Sequence, residues 1–175
     1  MAKVSFTKFG LKANADVKTV DWNDELSFEV KQYLPIEERA TLISNVVNYS
    51  VDDNGFYNPI KLDLFTTLEI IYYYTNINFT DKMKSDPSKL YDLVVGNGLY
   101  DLVVSNIPKD EYYQINESIY EAVDSIYKYR NSAMGLVDNF MGKYSDLGLN
   151  IEELQSKLAN GENVEFLKQI LDKLG

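Results

Sequence analysis

The side chains that most often carry nucleophilic and metal chemistry are missing from this sequence, which holds no histidine and no cysteine in 175 residues. That excludes Ser-His-Asp and Cys-His catalysis, thiolate nucleophiles, disulfides and most transition-metal sites. What remains for chemistry is carboxylate. Acids occur in adjacent pairs, Glu37 with Glu38, Asp52 with Asp53, Asp110 with Glu111 and Glu152 with Glu153, where helix N-termini call for negative charge. A hydrolase working on carboxylates alone would need two acids from separate elements converging in a cleft with shifted pKa values.

Two further stretches imitate ligand loops. Ser50 to Lys61 aligns with a calcium loop when Gly55 takes the sixth position, which puts Asp52 third and Asn54 fifth. Ser50 then stands where the first carboxylate belongs, Lys61 stands at the bidentate glutamate, and Pro59 intrudes, so the stretch reads as a polar turn. Gly96-Asn97-Gly98 reads as a helix cap in preference to a phosphate cradle. No metal, cofactor or catalytic residue is expected, and the chain reads as a non-enzyme.

A net charge of −10, from 27 acidic against 17 basic residues, opposes direct contact with a nucleic-acid backbone, which needs a basic footprint. The aromatic content is high, with 14 tyrosines, 8 phenylalanines and one tryptophan. Tyrosine suits both the wetted edge of a core and a protein contact surface. The first ten residues contain no signal-type apolar region, and Asp63 and Glu69 interrupt the longest apolar run before it reaches the roughly 18 to 20 residues of a membrane span. No membrane contact is expected, and the chain is expected in the cytosol.

The elements that must position any site are organised around residues 59–75. Asn58 followed by Pro59 is an N-cap and first-turn signature. Leu64, Leu68, Ile71 and Thr75 fall on one stripe, and Ile60, Phe65 and Tyr72 line neighbouring rows, so this helix is predicted to be buried on most sides. Lys61, Asp63, Thr67 and Glu69 supply its polar positions. Before it, a helix from Pro35 to about Tyr49 should bury Ile36, Ala40, Ile43 and Val47, joined by Leu42 and Val46. After it come one turn at Thr80 to Lys84, a helix starting near Ser88 and stopping at Gly96 or Gly98, and a similar short unit ending before Pro108; the two share the phrase LYDLVV at Leu90 to Val95 and Leu99 to Val104. A long helix is predicted over Lys109 to Tyr144, with Tyr112, Ile115, Ile119, Ala122, Ile126 and Tyr129 on its apolar face.

The first 34 residues change period. Leu26, Phe28 and Val30 alternate with polar neighbours, and Lys18 to Trp22 pairs with Leu26 to Lys31 as a hairpin turning at Asn23 to Glu25. A further strand is expected over Val4 to Phe9. The fold class is therefore mainly α: a multi-helix bundle around the central helix, 59–75, with a small N-terminal β-hairpin. Three units follow, an appendage at 1–34, a helical core at 35–145 and a C-terminal helical hairpin at 146–175.

Several phrases together, Lys31-Gln32-Tyr33-Leu34-Pro35, Asn58-Pro59, Tyr74-Thr75-Asn76-Ile77-Asn78-Phe79-Thr80, Lys89-Leu90-Tyr91-Asp92-Leu93 and Tyr127-Lys128-Tyr129-Arg130-Asn131-Ser132, resemble a group of small acidic proteins encoded by tailed bacteriophages among their morphogenesis genes. The resemblance implies a virion structural or assembly protein, with tail assembly chaperones as the nearest functional idea. It transfers no site. On this reading the partners are phage structural or assembly proteins, a homo-oligomer is allowed, and the protein resides in the host cytoplasm or in the particle. The alternative expectation is an acidic anti-defence inhibitor that occupies a host nucleic-acid-binding protein. The expected contact residues are Trp22, Leu26, Phe28 and Val30 on the hairpin, and Val164, Leu167, Ile170, Leu171 and Leu174 on the last amphipathic helix, because both elements are apolar and lack an evident partner within the chain.

Overall fold

Local signals place most of the boundaries seen in the computed structural model, which describes residues 3–52, 56–130, 132 and 135. The order is a hairpin, β1 (Val17–Asp21) and β2 (Ser27–Lys31), then six helices among the described residues. These are α1 (Ile36–Ser50), α2 (Pro59–Tyr74), α3 (Asp81–Lys84), α4 (Pro87–Gly96), α5 (Leu99–Asn106) and α6 (Lys109–Arg130). The protein is mainly helical with an N-terminal antiparallel hairpin. The continuation of α6 toward Tyr144 and the helical hairpin expected at 146–175 lie outside the described residues.

α2 begins where expected. The Asn58 side chain accepts hydrogen bonds from Ile60 N at 2.9 Å and Lys61 N at 3.2 Å, and Pro59 occupies the first turn. Asn58→Ala leaves those two donors without their cap, and thermal unfolding should show a loss of about 1 kcal/mol. Thr80 and Asp86 cap α3 and α4 in the same way, accepting from Met83 N and Lys89 N. Past the end of α4, Gly98 adopts φ +76°, the left-handed conformation that stops one helix and starts the next.

The central helix separates two apolar clusters. Leu62, Ile70 and Tyr74 face the larger one, with Val30, Leu34, Leu42, Val46, Val103, Ile115 and Ile119, and Leu68 and Ile71 face a smaller one with Phe79, Leu90 and Val94. Thus α2 is enclosed on two sides, and two of its expected polar positions, Thr67 and Glu69, are buried instead. Ile60 departs from the expectation in the other direction: it is 77% exposed, on a face of the first turn that neither cluster reaches.

α1 is rotated from its predicted face. Leu42, Val46, Val47 and Ser50 are buried and Ile43 partly so, whereas Ile36 and Ala40 are exposed. The cause is Arg39, which lies one turn before Leu42 and is drawn inward by an ion pair with Glu111, at 2.8 Å between Nη2 and Oε2. On α6, Ile115 and Ile119 are buried as expected. Glu111 and Val123 continue that row at four-residue spacing, while Tyr129 is exposed.

The hairpin docks on the helices through β2. Val17 pairs with Lys31 and Asp21 with Ser27, Val30 bridges to Thr75, and Glu29 N donates to Asn76 Oδ1 at 2.9 Å. Val20, Phe28 and Val30 thereby enter the larger cluster. The strand expected over Val4 to Phe9 is replaced by a 3-10 turn, Phe6–Phe9, closed by Gly10 at φ +60°. Among the described residues no strand pairs with these, so period-two alternation alone has no ladder to hold it extended.

Candidate functional site

The hairpin tip presents an apolar groove. Asn23 Oδ1 accepts from Glu25 N and Leu26 N, both at 2.9 Å, and Trp22 N donates to Leu26 O at 2.8 Å, so a side-chain-closed turn holds Trp22 and Leu26 side by side. They stand 39% and 58% exposed. With Phe28 and, from the far side, Asn76, Ile77 and Leu99, they line a space of about 420 Å³. Three of the four expected hairpin contact residues therefore converge on one feature.

Val30 does not join them. It is fully buried, and Phe28 is 7% exposed, so Phe28 forms the floor of the groove and Val30 belongs to the core. The physical reason is the docking of β2 between β1 and the end of α2, which turns its alternate side chains inward. Val164, Leu167, Ile170, Leu171 and Leu174 lie outside the described residues. Ile77 and Leu99 escaped sequence reasoning because one sits in the link after α2 and the other opens α5, and only the fold brings them to the hairpin.

One edge of the hairpin is unpaired among the described residues. Trp22 N bonds Leu26 O and Gln32 N bonds Asp16 O, so in antiparallel register the inward backbone positions on β1 are Lys18 and Val20. Val17, Thr19 and Asp21 turn their amides and carbonyls away from β2. Leading into this edge is an arm exposed at every residue from 3 to 16, with Val4, Phe6, Phe9 and Leu11 each between 63 and 74% exposed.

Two carboxylates are buried: Glu111, expected to supply negative charge at a helix N-terminus, and Glu69, expected as a polar position of the central helix. Glu111 Oε1 accepts from Leu34 N at 2.8 Å and from the Tyr74 hydroxyl at 2.9 Å, while Oε2 pairs with Arg39, whose Nη1 also reaches Gln114 Oε1 at 3.3 Å. Burial, then the adjoining carboxylate, holds the Tyr74 phenol well above its ordinary pKa, so it remains a donor. This network ties the end of the hairpin to α1, α2 and α6. Every oxygen of Glu111 is engaged, so its chemistry is structural. Its row with Ile115, Ile119 and Val123 was the available signal, since a four-residue spacing puts all four on one side of α6.

Glu69 lies on a second groove of about 530 Å³, walled by Tyr49, Phe65, Tyr72 and Tyr73, with Asn45 Nδ2 donating to its Oε2 at 2.9 Å. Tyr49 and Phe65 stack at 4.7 Å between centroids, and the Lys84 ammonium stands 5.3 Å from the centre of the Tyr72 ring. Among the described residues Glu69 is the one carboxylate lining this groove, so they assemble no converging pair of the kind that acid–base hydrolysis needs here. Among the described residues no group of three or more acids is placed to hold a metal ion.

Burial raises the Glu69 carboxyl above the usual range, and the Asn45 hydrogen bond and the Lys84 charge only partly offset it. The folded state therefore holds this proton more tightly than the unfolded chain does. The group's contribution to stability is full below the unfolded carboxylate range and is lost as pH rises through the raised folded value. Glu69→Gln keeps an acceptor for Asn45 and removes the charge. At neutral pH the variant should be more stable than the parent, with the gap closing as pH falls through the raised folded value toward the unfolded glutamate value of about 4.3. Urea melts at several pH values check this; a gap that widens in acid would contradict it.

No protein-family model matches the chain, and comparison with curated proteins and with solved structures returns no significant match.

Proposed function

We propose that this protein is a non-enzymatic bacteriophage component that works by protein–protein contact in particle assembly or virion structure, in the manner of a tail assembly chaperone or a minor structural protein. The observation that carries the contact reading is the hairpin-tip groove. Trp22 and Leu26 are large, apolar and exposed, and they sit over a concave apolar floor beside an unpaired strand edge. Such a combination of aromatic anchor, pocket and free backbone groups is what a protein segment uses for docking. The assignment to a phage particle comes from the resemblance in the phrases around Tyr33, Tyr74, Tyr91 and Tyr127.

The test is affinity purification of the tagged chain from phage-infected cells, together with mass spectrometry of purified particles. Virion or morphogenesis proteins should be recovered with the parent chain and lost with a Trp22→Glu, Leu26→Glu double variant. Both side chains are exposed, so the helical circular dichroism should be unchanged. Recovery of none of these proteins, or of a host nucleic-acid-binding protein alone, would overturn the proposal.

A further inference from the structure

We infer that the hairpin-tip groove is filled by the N-terminal arm of a second copy of this chain. The inference rests on the reading of that groove as a protein-docking site and names its occupant.

The arm is apolar and basic at once. Residues 1–15 contain Lys3, Lys8 and Lys12 and no acid, in a chain whose net charge is −10. Between the lysines stand Val4, Phe6, Phe9 and Leu11, and the rings of Phe6 and Phe9 lie 6.3 Å apart on one short turn. The groove carries the complementary pattern. Its floor is Phe28, Ile77 and Leu99, and the turn that bears Trp22 and Leu26 also bears Asp21, Asp24 and Glu25, all exposed. Aromatic rings would enter the apolar floor while lysines meet the acidic rim, a match of both hydrophobicity and charge.

The exposure of the arm in the single chain favours a second copy over the arm's own groove. The arm joins β1 at Val17, the end of the strand away from the turn, and the five residues of β1 separate that root from Trp22 by about 17 Å. In the single chain the arm is exposed throughout and leaves the groove open. Fourteen arm residues, 3–16, can extend up to about 45–50 Å, far enough to cross to a neighbour. The area is also adequate. Two phenylalanines bury about 150–250 Å² each. A reciprocal exchange of two arms thus supplies about 600–1,000 Å² from the rings alone, toward the roughly 1,200–2,000 Å² of a stable interface.

Sedimentation velocity on the full chain over the micromolar range tests this, read together with the fluorescence of Trp22, the sole tryptophan. The parent should self-associate, its emission should shift to the blue as it does so, and added salt should weaken both. An arm variant, Phe6→Ser with Phe9→Ser, and a groove variant, Trp22→Glu with Leu26→Glu, should each weaken association by about a hundredfold or more. Mixing the two should restore a pair, because the groove variant still has an arm and the arm variant still has a groove. In that mixture the only tryptophan belongs to the arm variant, so its blue shift reports an arm arriving from the other copy.

A chain that stays monomeric overturns the inference. So does association that survives the arm variant, and so does a blue-shifted emission independent of concentration but lost in the arm variant, which would mean that the arm folds onto its own groove. If these results appear while the groove variant still loses its phage partners, the docking reading stands and only the identity of the occupant falls. If the groove variant loses nothing, both fall.

Discussion

Glu111→Ala should destabilise the protein by about 3–5 kcal/mol, the largest effect expected of any single substitution outside the core hydrocarbons. The substitution leaves Leu34 N and the Tyr74 hydroxyl without their acceptor and strands the Arg39 guanidinium, whose side chain is only 16% exposed. An uncompensated buried charge dominates that cost. Two controls separate the causes. Asp110→Ala, at an exposed position one residue earlier, removes only a charge at the N-terminus of α6 and should cost no more than about 1 kcal/mol. Glu111→Leu combined with Arg39→Met replaces the ion pair by hydrocarbon and should recover the part of the loss due to the stranded charge, while Leu34 N and the Tyr74 hydroxyl stay without their acceptor. Urea denaturation monitored by far-ultraviolet circular dichroism gives all three values. Equal, small effects at 110 and 111 would remove the network from the account of stability.

Ile70→Ala should cost about 2–5 kcal/mol, through lost burial and the cavity left behind. Ile70 is fully buried where α2 meets the larger cluster, alongside Leu62 and Tyr74. The same substitution at Ile60, one residue into the same helix and 77% exposed, should fall within about 0.5 kcal/mol of the parent. The pair compares identical chemistry at two depths. If the two variants melted together, α2 would not be the enclosed spine on which the other helices pack.

The helical architecture was legible because it depends on neighbours in sequence. Asn58-Pro59 and Thr80 mark helix starts through bonds to amides two or three residues on. The alternation Leu26, Phe28, Val30 and the Asn23 turn specify the hairpin within a dozen residues. The groove was half legible: Trp22, Leu26 and Phe28 were identified, while Ile77 and Leu99 were not, because their meeting depends on how the hairpin lies against the end of α2. The two LYDLVV segments make the same point. Leu90 and Val94 are buried in α4, but in α5 Val103 is buried while Leu99, the counterpart of Leu90, stays partly exposed on the groove. Tyr91 bonds Asp63, whereas Tyr100 bonds Tyr112 at 3.1 Å.

By itself, then, the order of residues determined where the chain coils, where it turns, and that histidine and thiol chemistry lie beyond it. Tertiary structure decided which side of each element faces inward. It turned α1 so that Arg39 reaches Glu111, drew Glu69 beneath an aromatic groove, and left Trp22 and Leu26 open to a partner. The reason is the range of the forces involved. Caps and turns are closed by bonds a few residues long, but burial is settled by whichever surface arrives from a distant part of the chain, and a carboxylate is buried only where a guanidinium, an amide or a hydroxyl from another element is already waiting.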